Sequence, residues 1–147
     1  IVLITHEMNV IQSICHHVAV MESGRVVEKG NVLDVFSEPQ QEITKNFVKT
    51  VINDSVPELL IESIRSEKKN NKLLKLKFLD SDSTESGLSG VNKKFDVETN
   101  ILFANISEIQ ERVLGIIIVQ IIGAKNEIEG AQKYFSEHGV GYKEIYI

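Results

Sequence analysis

The period of the apolar positions changes several times along the first third of the chain. Ile1-Val2-Leu3-Ile4 carries no charge on either face, the pattern of a strand buried on both sides in a parallel sheet. Thr5-His6-Glu7 closes it, and the C-terminal end of such a strand is where α/β sheets bind ligands. Met8, Ile11, Ile14, Cys15 and Val18 then recur at helical spacing and predict a one-sided helix covering a sheet. His17 to Glu22 and Arg25 to Lys29 alternate around Ser23-Gly24, a hairpin signal. Gly30-Asn31 breaks the alternation, Asn31 suits the cap of a short helix carrying Val32, Val35 and Phe36, and Pro39 ends that helix. A further helix is expected from Gln40 to about Val51, with Ile43, Phe47 and Val51 on one face.

The pattern weakens from residue 53 to 71. Asn53-Asp54-Ser55 is turn material, Pro57 suits a first helical position, and Leu60, Ile61 and Ile64 give one short amphipathic helix. Glu67-Lys68-Lys69-Asn70-Asn71 is polar throughout. Residues 53–71 therefore read as a linker with a short helix, between a first segment, 1–52, and a second domain, 72–147. In that domain Leu74, Leu76 and Phe78 alternate with Lys75 and Lys77, a strand with one buried face. Asp80 to Ser83 is a loop with several possible caps. Leu88, Val91 and Phe95 mark a helix weakened by Gly87 and Gly90. Strands follow at Val97 to Ile106 and Val113 to Ile122. Ile128, Ala131 and Phe135 mark a second helix closed by Gly139, and Val140 to Ile147 is a fourth strand. The order β-α-β-β-α-β is that of a ferredoxin-like domain, in an α+β fold class.

The third of these strands is apolar on both faces: Val113, Ile117, Val119 and Ile121 on one, Leu114, Ile116, Ile118 and Ile122 on the other. A ferredoxin-like sheet has helices on one face alone, and each such side chain gains about 1.5–3 kcal/mol on burial. The second face is therefore expected to meet a partner, either a second copy of the domain or the segment upstream.

Composition narrows the function classes. A net charge of −5 argues against a nucleic-acid surface. A single cysteine, Cys15, excludes an internal disulfide and fits a reducing compartment. The longest apolar run, Gly115 to Ile122, contains Gln120 and falls far short of the ~20 residues that span a bilayer.

Few residues offer chemistry. His6 stands at a strand end and can donate a hydrogen bond to a phosphate oxygen, although such a histidine by itself is more often structural. His6-Glu7 does not continue into a His-Glu-x-x-His zinc motif, because position 10 is Val10. His16 and His17, read as helical neighbours, point about 100° apart and do not make a metal pair; Cys15 reads as a small buried helix residue. Asn100, at the start of Asn100-Ile101-Leu102, is either a turn residue or a side-chain amide offered to the polar end of a small ligand. The sequence holds no Gly-x-x-x-x-Gly-Lys-Ser/Thr phosphate loop, and Leu88-Ser89-Gly90-Val91-Asn92 imitates an ABC signature in the wrong place.

Thr5-His6-Glu7-Met8, then 14–21, Gly24-Arg25-Val26-Val27-Glu28-Lys29-Gly30 and Val35-Phe36-Ser37-Glu38-Pro39-Gln40, in this order, resemble the C-terminal end of an ABC importer ATPase. Val35-Phe36-x-x-Pro39 followed by Thr44-Lys45-x-Phe47-Val48 is similar to the ATP-binding subunits of bacterial methionine importers. The rest of the chain resembles the NIL domain of those subunits, whose Asn-Ile-Leu stands here at Asn100-Ile101-Leu102. The resemblance implies a ferredoxin-like domain preceded by the C-terminal tail of an ABC ATPase α/β domain. It implies a full-length parent that binds ATP and magnesium, pairs with itself, and drives a membrane permease served by a substrate-binding protein. That parent would sit on the cytoplasmic face of the membrane. His6 would contact the γ-phosphate. Without the preceding phosphate loop, this portion would use no cofactor and would be inactive alone. The NIL domain would bind L-methionine through Asn100, with Ile101, Leu102 and Ile106 as apolar wall, and would inhibit transport allosterically. A NIL domain that dimerises without a ligand is the main alternative. An RNA-binding sheet of the same topology is disfavoured by the acidic charge and by a third strand without aromatic residues.

Overall fold

The computed structural model describes residues 1–52, 56–67, 69–80 and 87–146. The expected turn at 53–55, the loop positions 81–83 and the last residue of the expected final strand lie outside them. The described residues form six helices and six strands in two sheets. They divide into two compact units: Ile1–Asn53 with Ser107–Arg112, and Asp54–Ile106 with Val113–Ile147. No helix among the described residues is long and apolar enough to cross a membrane.

In the first unit, α1 (Met8–Ile14) is shorter than its apolar spacing suggested and buries Ile11 alone. Cys15 is its half-buried C-cap, and Val18 belongs not to the helix but to β1 (His17–Glu22). His17 therefore opens a strand and His16 is the bend before it, neither being on a helix, and among the described residues no cluster of metal-ligating side chains forms. The expected hairpin is present: β1 pairs antiparallel with β2 (Arg25–Asn31) across Ser23 and Gly24, whose φ values of 50° and 78° fit a tight hairpin turn. Gly30-Asn31 does not break β2, because Gly30 pairs with Val18 and Asn31 with His17.

Asn31 also stands at the N-cap of α2 (Val32–Ser37), as its residue type suggested, although its Nδ2 donates to Asp34 Oδ2 rather than its oxygen accepting a backbone amide. α2 buries Val32, Leu33, Val35 and Phe36 and stops two residues before Pro39. α3 (Glu42–Val48) is shorter than expected, and its buried positions are Thr44 and Val48, one residue on from Ile43 and Phe47. The carboxylate of Glu28 on β2 accepts from the amides of Gln40 at 2.9 Å and Gln41 at 3.0 Å, which fastens the start of α3 to the hairpin.

Ile1–Ile4 forms no strand, and Ile1, Val2 and Ile4 are almost fully exposed. The expectation of a doubly buried strand is not met, because no strand among the described residues pairs with this segment.

The second unit begins with α4 (Glu58–Ser66), whose N-cap is Pro57 rather than its first helical residue and whose Ile64 is buried. β3 (Asn71–Leu79), α5 (Leu88–Lys94), β4 (Val97–Ile109), β5 (Arg112–Gly123), α6 (Lys125–Glu137) and β6 (Gly141–Ile145) follow. The sheet order is β4-β5-β3-β6, the ferredoxin-like arrangement, with β3 antiparallel to both neighbours. Leu74 and Leu76 of β3, with Val119 and Ile121 of β5, pack against Val91 of α5 and Ile128, Ala131 and Phe135 of α6. Gly139, at φ 73°, turns the chain after α6 as a C′ glycine does.

The opposite face of β5 is also closed within this chain: Leu114, Ile116 and Ile118 are buried, as is Leu73 of β3. The expected burial of this face is thus met within the chain, without a second copy of the domain. The helix α4, which reads as part of a linker, buries Ile64 and places the next chain segment against this face.

Candidate functional site

Asn100 lies on β4, at one edge of the sheet, and is exposed. Its Nδ2 donates to Oε1 of Gln120 at 3.1 Å. Gln120 sits in the middle of the apolar run of β5, pairs in register with Leu73 and is 3% exposed. Its own Nε2 donates to Oε2 of Glu67 at 3.0 Å. Glu67 is the C-cap of α4. The three residues form a polar chain from a carboxylate, through a buried carboxamide, to an exposed carboxamide on the sheet edge.

A buried carboxamide is costly unless its groups are paired, and Gln120 uses both ends. Sequence reasoning did not select Gln120 or Glu67. The available signal was a lone polar residue within a strand otherwise apolar on both faces, which should find partners wherever the fold supplies them.

The other expected wall residues flank Asn100 unevenly. Ile101 is 59% exposed and Ile106 69% exposed, while Leu102 is half-buried. Burial along β4 does not alternate cleanly here: Asn100 and Ile101 are both exposed, Leu102 and Phe103 both half-buried. Ile101 and Ile106 are large apolar groups left in water; Ile101 follows Asn100 and by strand alternation takes the other face, and Ile106 stands six positions along β4.

His6 belongs to the first unit and Asn100 to the second. His6 precedes α1, its side chain is 91% exposed, and it stands 3.6 Å from the Glu7 carboxylate. Thr5 Oγ1 accepts from the Glu7 amide, which shapes the turn before α1. One exposed histidine makes by itself neither a magnesium site nor a nucleotide cradle. The signature-like Leu88-Ser89-Gly90 stretch starts α5, where Val91 is fully buried in the core.

A small apolar cavity of about 120 Å³ opens between α5, α6 and the sheet, lined by Leu76, Phe78, Leu88, Ile117, Phe135 and Val140. It brings together no charged side chain and lies on the helix-covered face, with Leu76 and Phe135 of the main core.

Comparison with known proteins places these observations. Residues 72–144 match the NIL domain. The chain is 40% identical over 144 residues, 98% of its length, to a methionine import ATP-binding protein of Acinetobacter baylyi. It is also 44% identical over 137 residues to one of Halalkalibacterium halodurans. It spans 42% and 40% of the lengths of these relatives. The C-terminal domain of an ABC transporter ATP-binding protein from Enterococcus faecalis shares the fold, with a TM-score of 0.51 at 22% identity, over 62% of this chain and 97% of that one. Residues 72–144 thus belong to the NIL domain family, in a chain that matches the C-terminal part of methionine import ATP-binding proteins over nearly its whole length.

Proposed function

We propose that this chain is the regulatory portion of the ATP-binding subunit of a methionine importer, and that its NIL domain binds L-methionine at the β4 edge. In the full-length protein, the ATPase would use ATP and magnesium, with His6 at the γ-phosphate. It would pair with itself and act on a membrane permease, supplied by a substrate-binding protein, at the cytoplasmic face. Methionine held by the NIL domain would favour the non-transporting state.

The observation that carries this reading is the buried Gln120, which holds an exposed amide, Asn100, on an edge strand that also carries two exposed isoleucines. An amide can meet the polar end of an amino acid, and Ile101 and Ile106 can meet a thioether side chain. Inhibition by such a ligand is graded: carrying a balance from 1:99 to 99:1 requires a preference of about 10⁴-fold between the two states. Calorimetry with L-methionine on the wild-type chain and on Asn100→Ala tests the assignment. Saturable heat that is lost in the variant supports it; equal affinity in both removes Asn100 from the site.

A second reading rests on a different property of the same strand. β4 is a 13-residue edge strand with exposed isoleucines, and long apolar edges favour pairing with another chain. A ligand-free dimerisation domain would show a concentration-dependent dimer and no heat on methionine addition.

A further inference from the structure

The polar chain Glu67–Gln120–Asn100 has a direction, and one end sets it. A carboxylate has no hydrogen to give, so Glu67 can only accept. Gln120 must therefore turn Nε2 toward Glu67, as the 3.0 Å contact has it. Its oxygen then faces Asn100, and Asn100 must answer with Nδ2, at 3.1 Å. The reverse arrangement would set oxygen against oxygen at Glu67 and nitrogen against nitrogen at Asn100, and would leave a 3% exposed amide with neither bond. Carboxamides are otherwise free to present either end, because their two heads differ little in shape.

We propose that Glu67 and Gln120 are positioning residues that fix the Asn100 carboxamide with Nδ2 inward and Oδ1 outward, so that this edge selects a ligand by the donor it carries, the α-ammonium of an amino acid. This deepens the methionine reading and rests on it in one respect, that Asn100 touches the ligand. The second hydrogen of Nδ2 can still assist a carboxylate, but the acceptor is the atom the polar chain holds in place. The sequence separation explains why the device is invisible locally: Glu67 and Gln120 are 53 positions apart, and Asn100 and Gln120 are 20 apart.

The test compares two ligands by calorimetry on the 147-residue chain. L-methionine and 4-(methylthio)butanoate share the thioether and carboxylate, and the second lacks the ammonium. The wild-type chain should prefer methionine. Glu67→Gln removes the one-way acceptor, since an amide at 67 can give or take, and the preference should fall about tenfold, the effect of losing one well-placed bond. Asn100→Asp is the sharper probe. An aspartate there can only accept, so Gln120 would have to reverse and oppose its oxygen to Glu67; methionine binding should weaken. Adding Glu67→Gln to Asn100→Asp should recover much of the loss, which simple removal of two contacts would not do.

A second readout needs no ligand. The side-chain amide NMR signals of Asn100 should move in Glu67→Gln, through Gln120, with the backbone spectrum otherwise retained. An unchanged ligand preference in Glu67→Gln, additive effects in the double variant, or unmoved Asn100 amide signals would each overturn the proposal. If the wild-type chain takes up neither compound, the methionine reading fails instead, and the amide signals still decide whether Glu67 sets the orientation.

Discussion

The sheet contains a close contact whose energetic weight can be worked out, between Gly115 of β5 and Phe78 of β3. The two residues are directly opposite in register. A methyl group added at Gly115 would stand 2.7 Å from Phe78 Cδ2 and closer still to two other ring carbons. Carbon atoms settle at about 3.5–4.0 Å, so the ring would have to retreat by roughly 1 Å or more. Phe78 is 7% exposed, and the room open to its ring is the small cavity it lines between α5, α6 and the sheet, which keeps the cost toward the lower end of the range for overpacking. Overpacking of this kind costs about 1–3 kcal/mol, and replacing a strand glycine by alanine returns about 0.5–1 kcal/mol of backbone entropy. The expected net loss for Gly115→Ala is about 1 kcal/mol, or roughly 4–8 °C in midpoint for a unit of this size. Thermal unfolding followed by circular dichroism checks it. Phe78→Leu in the same background should relieve the clash, so a double-mutant cycle should show a favourable coupling of about 1 kcal/mol. A midpoint that holds or rises in Gly115→Ala, or effects that simply add, would refute the packing argument.

Four further outcomes are expected. Gly90→Ala also brings a methyl against a ring, 2.9 Å from Tyr134 Cζ, but that is the far end of a half-buried side chain on α6; the helix gains up to ~1 kcal/mol in propensity, so unfolding should show little net change. Glu111 has φ 62° in the two-residue turn between β4 and β5, a conformation costing most residues about 1–2 kcal/mol, so Glu111→Gly should raise the midpoint by several degrees. Burial raises the Glu28 carboxyl, but the Thr44 hydroxyl (close by, though short of full hydrogen-bond geometry), the Gln40 and Gln41 amides and Lys45 together hold it below its ordinary value of 4.5. Its contribution, about 1 kcal/mol by comparison with other helix caps, is complete above that pH and lost as pH falls through the lowered value; the urea midpoints of wild type and Glu28→Ala should differ at pH 7 and converge in acid. Lys72 and Glu144 pair at 2.9 Å while partly exposed, so a double-mutant cycle should find at most ~1 kcal/mol, shrinking in high salt.

The parts that could be read from sequence were those in which burial follows a simple period. Leu74, Leu76 and Phe78 announce β3, Val91 and Phe135 announce the helices above it, and Gly139 announces the end of α6. Periodicity states that a face must be buried and is silent about what buries it. Ile1–Ile4 carries the demand without a strand beside it among the described residues. Leu114, Ile116 and Ile118 carry the same demand and meet it inside the chain. The candidate site follows the same division. Asn100 entered through its family motif, and Gln120 looked like an interruption in an apolar strand. Glu67 looked like one charge in a polar run. Their meaning depends on α4, whose nine residues read as spacer material because one helical turn of apolar positions is too short a signal to predict a layer. A spacer helix could be lengthened or recast freely. One whose C-cap accepts from Gln120 cannot, since a one-residue insertion in α4 rotates the helix by about 100° and carries Glu67 off the Gln120 face. Such an insertion should therefore impair the Asn100 site while leaving the core of Leu74, Val119 and Phe135 intact, a separation of effects that a mere linker would not produce.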